Sequence, residues 1–487
     1  MLTNTKTSRS EINTNAELRE KHLQALSDRY NKRTKTSKQM TQAYRSVLAD
    51  PRVSEWFDAS IKEMCYLTVA EKAQGSKVWD LDGNEYIDII MGFGSNLLGH
   101  NPPFVKEAIQ EQVEKGFPLG PQSEDVGEVA ELISELTGME RVAFSNTGTE
   151  AVMTAIRLAR SQTKRKKIAI FTNSYHGHAD GVFARSRGLK LPNMLEKLGG
   201  NIITSRINSQ AFPKSCGVPD SATKDALILE YGNPQSLDIV KANRGNLAAV
   251  LVEPIQSANP ALQPKEFLHQ LRGLTQKSGI ALIFDEMVTG FRLHQGGAQA
   301  WFGVEADIAT YGKVVGGGMP ISIIAGKRAY LDQIDGGMWN YGDSSFPQVE
   351  KTFFAGTYCK HPLAIAASRA VLKYLKECGP GLQEQLNQKT AQFVEKLNTF
   401  YEAKKLPLKM VNFGSFFGPI ITENIADKSF LMGLGLLRYH LFDRGILLRG
   451  EGGGFLSTAH SDQDIDSIQQ AIQDSITELQ EHGFLRL

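Results

Sequence analysis

The sequence has 487 residues, enough for two or three domains, and its 41% hydrophobic and 22% charged content is ordinary for a globular chain. A formal net charge of +1 makes no case for nucleic acid or an anionic membrane as partner. Four cysteines (Cys65, Cys216, Cys359, Cys378) stand far apart without a CxxC pair, which argues against a zinc site and a disulfide framework and fits a reducing, cytoplasmic setting. The polar start has no apolar signal core, and no apolar run is long enough to span a bilayer.

Residues 1–50 are rich in Lys, Arg, Ser, Thr, Asn and Gln and poor in aliphatic residues. They read as a flexible or helical arm, one or two amphipathic helices that bury little, or as a linker docking to a neighbouring domain or subunit. Alternation in "KVWDLDG", with its DG pair, predicts a small hairpin. "RVAFSN" (141–146) reads as a short strand, and Val152, Ile156 and Ala159 then follow at helical spacing. "KIAIFTN", "LAAVLVEP" and "ALIFDEM" are continuous apolar runs of strand length. Between the last two lies a helix with Pro264 early and Gly279 just past its end. Strands apolar on both faces that alternate with helices imply an α/β sheet covered on both sides. The last hundred residues read as a smaller α+β domain.

Lys313, in "ADIATYGKVVGGGMPI", raises the question of a phosphate loop. A Walker A motif would need glycine where Asp307 stands, and serine or threonine where Val314 stands, and no GxGxxG is found. An anion cradle is instead expected at "FSNTGTEAV". There a strand gives way to a helix, and Thr147, Gly148 and Thr149 offer backbone N–H groups and hydroxyls; simple helix capping accounts for the same residues equally well. Tyr175, His176 and His178 follow another strand; they suit an aromatic stacked on a planar ligand, and a metal pair less well. Asp285 and Glu286 end a very apolar strand, where a carboxylate needs a cation or a capping role, and Glu253 ends its neighbour in the same way. In open α/β sheets these strand ends line the ligand crevice. A lysine there has its amine pKa lowered by desolvation and becomes a nucleophile for carbonyl carbon. Lysine, phosphate cradle, stacking aromatic and strand-end aspartate are the four parts of a pyridoxal 5'-phosphate site.

The motifs "VWDLDGNEYIDII", "LLGHNPP", "FSNTGTEAVMTAIRLAR", "YHGHADG", "LVEPI", "LIFDEMVTGFR", "GGAQAWFGVEADIATYGKVVGGGMPI" and "AGTYCKHPLA" together resemble class III, fold type I, pyridoxal-phosphate aminotransferases, in the glutamate-1-semialdehyde aminomutase-like branch. The resemblance covers roughly residues 75–370. It implies an α/β fold with a mainly parallel seven-stranded sheet and a small α+β carboxyl-terminal domain. Residues 51–104 would contribute to the small domain, 105–374 would form the large cofactor-binding domain, and 375–487 the small one. Lys313 would be the Schiff-base lysine and Asp285 the partner of the pyridinium nitrogen. Thr147, Gly148 and Thr149 would hold the phosphate, with Thr147 where the branch usually has serine. Tyr175 would stack on one ring face and Met287 on the other, with His176 and Glu253 also at the cofactor. Gly356 would also bind the cofactor, and Thr357 would reach the phosphate from a partner subunit, implying a homodimer with shared active sites.

Some features depart from the aminomutase. The stretch "SIKEMCYLTVAEKAQGSKVW" lacks the arginine expected to hold a substrate carboxylate, and Glu451 is not cleanly aligned with the branch's carboxyl-terminal glutamate. The segment "GGMWNYGDSSFPQVEKTFFAGTYCKHPLA" is long and, with the arm, is similar to aminotransferase domains of hybrid polyketide–nonribosomal peptide synthetases. That similarity implies amino transfer from an amino-acid donor to a β-keto acyl thioester on an acyl carrier protein. The alternative is glutamate-1-semialdehyde 2,1-aminomutase. Arg292 is open to a donor carboxylate or to a structural role, and Asn340, Tyr341 and Asp343 are candidates for the substrate entrance.

Overall fold

The computed structural model describes residues 9–55, 57–186, 209–423, 425, 427–448, 450 and 453–485. Glu451 lies outside them. The expected apolar runs become neighbours in a seven-stranded sheet. Its order is Arg141–Ser145, Ser322–Gly326, Ile308–Tyr311, Ala281–Asp285, Leu247–Val252, Lys167–Phe171, Ala226–Leu229. Ser322–Gly326 runs antiparallel to both neighbours, and every other pairing is parallel. Parallel strands need crossover connections, and helices Gly148–Thr163, Pro234–Ala242 and Lys265–Ser278 are among those that join parallel strands of this sheet, the last joining two neighbours. The last keeps its expected punctuation, with Pro264 before it and Gly279 in the left-handed conformation after it.

Coverage on both faces explains the unbroken apolar runs. All six residues of Leu247–Val252 are fully buried, and each leucine or valine among them contributes about 1.5–3 kcal/mol by leaving water. Because six strands point one way, their carboxyl ends share one edge. Parallel register sets Asp285 level with Thr310. The chain from Asp285 to Lys313 thus folds back on itself, and the lysine follows two residues after the end of the neighbouring strand.

The hairpin expected at "KVWDLDG" pairs Lys77–Asp80 with Glu85–Asp88. Asp80, fully buried, closes its turn by accepting from the backbone N–H groups of Asp82 and Asn84 and from the Tyr86 hydroxyl. This sheet also takes in Ala70–Gln74 and, from far along the chain, Ile446–Leu447. A third sheet joins Leu408–Phe413, Phe416–Ile421 and Gly454–Phe455. No helix among the described residues is long and apolar enough to cross a membrane.

The arm departs from expectation. It forms helices Arg9–Arg33 and Lys35–Tyr44, but it does not bury little. His22, Leu26 and Tyr30 recur every four residues on one face, and all three are buried. Tyr30 meets Tyr439 and Phe442 edge-on, while Arg29 pairs with Asp443 at 2.9 Å. The stripe is one residue wide, so composition hides it.

Candidate active site

The strand ends assemble the residues that the sequence scatters. Asp285, 3% exposed, accepts through Oδ2 from His176 Nδ1 at 2.8 Å and through Oδ1 from the Met287 N–H at 3.2 Å. With Nδ1 donating, His176 Nε2 is left as a buried nitrogen with no hydrogen-bond partner among the described residues. Arginine and lysine are absent from the ion-pair partners of Asp285 among those residues, so this buried carboxylate has room for one more cation.

Lys313 opens the turn Lys313–Gly316 with φ of 49°, in the left-handed region. A lysine held there carries about 1–2 kcal/mol of backbone strain, which persists only where the surroundings over-determine it. Burial lowers its amine pKa; Asp285 and then Glu253 pull it back up, and Arg292 pushes it down. More of the amine is therefore neutral at a given pH than for a free lysine.

Glu253 lies beneath the Tyr175 loop. Its carboxylate accepts from the N–H of Ser257 at 2.9 Å and of Tyr175 at 3.3 Å. Burial raises its pKa, and nearby Asp285 adds to the rise. Glu253 thus positions the loop that carries Tyr175, a residue 57% exposed. Glu286, in contrast, turns away from the cleft. It accepts from Thr289 Oγ1 and from the N–H groups of Ala298 and Gln299.

At the cradle both readings of "NTGTE" hold. Thr147 is the N-cap of helix Gly148–Thr163, and Glu150 reaches back to the N–H groups of Asn146 and Thr147 in a capping box. The N–H groups of Gly148 and Thr149, the helix's first two residues, have no intrahelical acceptor and remain for an anion. Ser322 Oγ donates to the Thr147 carbonyl at 2.6 Å and ties the turn to the antiparallel strand.

Three glycines shape the space. A methyl group on Gly148 would lie 3.0 Å from Met287 Sδ, and one on Gly312 2.7 Å from the same sulfur. Gly177 has φ of +79°, and a methyl group there would lie 2.9 Å from Thr149 Cα. Gly177 and Gly312 are absent from the sequence-level site; only their closeness to Thr149 and Met287 reveals them. Gly177→Ala is expected to weaken cofactor binding on the order of 10-fold, from about 1–2 kcal/mol of left-handed strain passed to Thr149. Fluorescence titration of the cofactor-free protein checks this, and unchanged affinity would rule out the close approach.

Gly356 lies beside Asn146 of its own chain, where a methyl group would sit 3.7 Å from Asn146 Nδ2. Thr357 is exposed on the same turn. Asn340 and Asp343 close an exposed turn with Ser345. Tyr341 is 92% exposed. The His176 and His178 metal reading gains nothing, because His176 is committed to Asp285 and the pair belongs to no cluster of three ligating groups among the described residues.

Arg292 resolves as structural. It is fully buried, donating to Ser415 Oγ at 2.6 Å and to the carbonyls of Gly94 at 2.7 Å and Leu456 at 3.2 Å, with its guanidinium over the Phe455 ring. Burial brings its pKa down to about 9. It pins the turn Met91–Gly94, which packs against Lys313–Gly316. Arg292→Met should lower unfolding stability by about 2–3 kcal/mol, because three acceptors lose a charged donor while relief from burying the guanidinium offsets part. Urea unfolding measures it, and an unchanged midpoint would remove the pinning role.

The family model for aminotransferase class-III matches residues 59–474. The chain belongs to the class-III aminotransferase family. This class-III aminotransferase is 38% identical over 418 residues to the glutamate-1-semialdehyde 2,1-aminomutase of Acetivibrio thermocellus, an alignment that covers 84% of this chain and 90% of that protein. It is 36% identical over 418 residues to the enzyme of that name from Chloroflexus aurantiacus, covering 83% and 88%. Among solved structures it is similar to a transaminase with PLP bound, at 26% identity, TM-score 0.78, covering 92% of this chain and 99% of that one. A glutamate-1-semialdehyde aminomutase from Pseudomonas aeruginosa shares the fold at 22% identity, TM-score 0.78, covering 95% and 98%.

The residues of this class-III aminotransferase fit pyridoxal 5'-phosphate. Gly148, Gly177 and Gly312 leave a cradle that a Cβ would fill, an N-terminus offers N–H groups to a phosphate, and a buried carboxylate faces the cleft without a fixed cation. Lys313, Asp285 and the Thr147–Thr149 turn would hold it.

Proposed function

We propose that this class-III aminotransferase moves an amino group on carbon, with Lys313 as the covalent anchor of pyridoxal 5'-phosphate and the carrier of the substrate Cα proton. The observation that supports this most is a partly buried lysine with a depressed pKa, under the pull of buried Asp285 and Glu253, in a glycine-lined cleft. When bound, the cofactor supplies an electron sink for the carbanion at Cα. Asp285, steadied by His176, would hold positive charge at the ring nitrogen. The turn Thr147–Thr149 would orient the phosphate, and Tyr175 and Met287 would pack against the ring. Lys313, once released from its covalent role, takes and returns the Cα proton, for which a neutral amine is the working form.

Kinship favours an isomerase. Relatives at 35–38% identity are glutamate-1-semialdehyde 2,1-aminomutases, and the chain would then move the amino group within one molecule.

A second reading rests on the arginines. The stretch 60–79 carries none, and the guanidinium of Arg292 is taken up by two carbonyls and a hydroxyl. A substrate without a free carboxylate at the reacting end suits such a site, as with a β-keto acyl thioester on an acyl carrier protein and a separate amino-acid donor. Purified enzyme offered glutamate 1-semialdehyde alone, and in parallel glutamate plus a β-ketoacyl carrier protein, separates the two by product mass. Conversion of the first alone favours the mutase, and of the second alone the transaminase; neither conversion, with a range of donors, removes both.

We further propose a homodimer. Trp339, Tyr341, Phe346, Phe353 and Tyr358 are exposed along the one segment that carries Thr357, a density of apolar surface suited to a second copy. Sedimentation that finds only monomer at assay concentration would exclude it.

A further inference from the structure

The chain that carries Tyr175 leaves strand Lys167–Phe171 through a tight turn. Ser174 donates its N–H back to the Phe171 carbonyl at 3.3 Å, and Asn173 stands at φ of 63°, in the left-handed region. Asparagine takes that conformation more readily than most residues with a side chain, yet such a turn persists only where its surroundings hold it. Past the turn the chain is fixed residue by residue. The Tyr175 N–H meets Glu253, His176 meets Asp285, Gly177 lies against Thr149, and the His178 N–H donates to Thr149 Oγ1 at 3.3 Å. The turn itself is held by Gln256.

Gln256 is 1% exposed and follows Glu253 closely, just past strand Leu247–Val252. Its Nε2 lies 2.7 Å from the Thr172 carbonyl oxygen and 2.8 Å from Ser174 Oγ. A carbonyl only accepts, so the amide must present its nitrogen here, and its two N–H groups go one to each side of Asn173. Gln256 is itself well anchored. The buried Tyr231 hydroxyl donates to the Pro254 carbonyl at 2.7 Å. The Ser257 N–H donates to Glu253 Oε1 at 2.9 Å, and the Asn259 N–H to the Gln256 carbonyl at 3.0 Å. Filling the space would require only a side chain of this volume. Two directed hydrogen bonds that straddle a left-handed residue do more, because they fix the direction in which the chain leaves the turn.

We propose that Gln256 is a positioning residue for the cofactor: by clamping residues 172–174 it fixes where Tyr175 meets the pyridoxal ring. The proposal rests on the reading that Tyr175 packs against that ring. Gln256 acts through the loop alone. A stacked aromatic contributes its full contact only when its loop is ordered beforehand, since a loop ordered on binding subtracts that entropy from the affinity. The neighbouring strand end supplies both anchors and divides the task between them. Glu253 accepts from the backbone of Tyr175, and Gln256 donates to the turn that precedes it.

The test titrates cofactor-free full-length protein with pyridoxal 5'-phosphate by fluorescence, as wild type, Gln256→Met, Tyr175→Ala and the double variant. Methionine keeps the length of glutamine and offers no N–H. Affinity is expected to weaken on the order of 10-fold in Gln256→Met, the scale of losing one or two neutral hydrogen bonds. Added to Tyr175→Ala, the same change should cost nothing further, because both act through one ring. Ser174→Ala, which removes one of the two acceptors at a half-buried position, should give a smaller loss in the same direction. Hydrogen exchange in the cofactor-free proteins reads the loop without any binding step: the Ser174 and Tyr175 amides should exchange several-fold faster in Gln256→Met, with the sheet as protected as in wild type. Unchanged affinity and exchange in Gln256→Met, or a loss of the same size with and without the Tyr175 ring, would overturn the proposal and leave the cofactor site standing. Wild type that binds no cofactor, or binds it equally well after Tyr175→Ala, would overturn the underlying reading and this proposal with it.

Discussion

Lys313→Ala is expected to lower turnover on the order of 10⁴-fold and to remove the visible absorption of lysine-bound cofactor. The size follows from losing two roles at once, covalent anchor and general base, the second alone contributing about 10²–10⁴. Burial is what fits this lysine for proton transfer, because desolvation lowers its pKa and opposes the pull of Asp285 and Glu253. Folding should survive the change, since the alanine relieves a buried amine and leaves the glycine turn in place. Partial rescue by added small amines would show that proton transfer, and not the fold, was lost. A variant with more than a tenth of wild-type turnover would contradict the assignment.

Asp285→Asn comes second, with turnover expected to fall on the order of 10³-fold, the scale of removing one fixed electrostatic stabiliser from a dry site. Asparagine fills the same space, but its single oxygen can accept from His176 or from the Met287 N–H and not from both, so one hydrogen bond is lost along with the charge. Two readouts beyond rate separate this from misfolding. Cofactor affinity should weaken. The Lys313 amine in the cofactor-free protein should titrate at lower pH than in wild type, because the largest influence raising its pKa is gone. If the Lys313 titration were unmoved, the two groups would not be coupled as the geometry has them.

The parts of this architecture legible in sequence are those with a strong local cause. Leu247–Val252 and Ala281–Asp285 are apolar at every position up to the terminal aspartate because both faces of the sheet are covered; a strand wet on one face would alternate instead. Lys313 and Asp285 stand out as charged groups in apolar company, a costly arrangement without a purpose. At Thr147–Thr149 capping and anion binding look like rivals in sequence, yet both draw on the same free N–H groups, and the structure accommodates both. Residues acting through long-range contacts stay hidden. The acceptors of Arg292 lie at Gly94, Ser415 and Leu456, none near it in the chain. Gly177 matters because Thr149, 28 residues earlier, packs against it. His22, Leu26 and Tyr30 form a stripe too thin to register amid polar neighbours, and its partners are more than 400 residues away.

The central claim is that Lys313, among the lysines of this chain, carries pyridoxal 5'-phosphate. Borohydride reduction of the cofactor-loaded enzyme, followed by proteolysis and mass spectrometry, reads that directly. One stoichiometric pyridoxyl adduct is expected on the peptide containing "YGKVVGGGMP", located on Lys313. An adduct on any other lysine, or none from enzyme that still turns over, would contradict the claim.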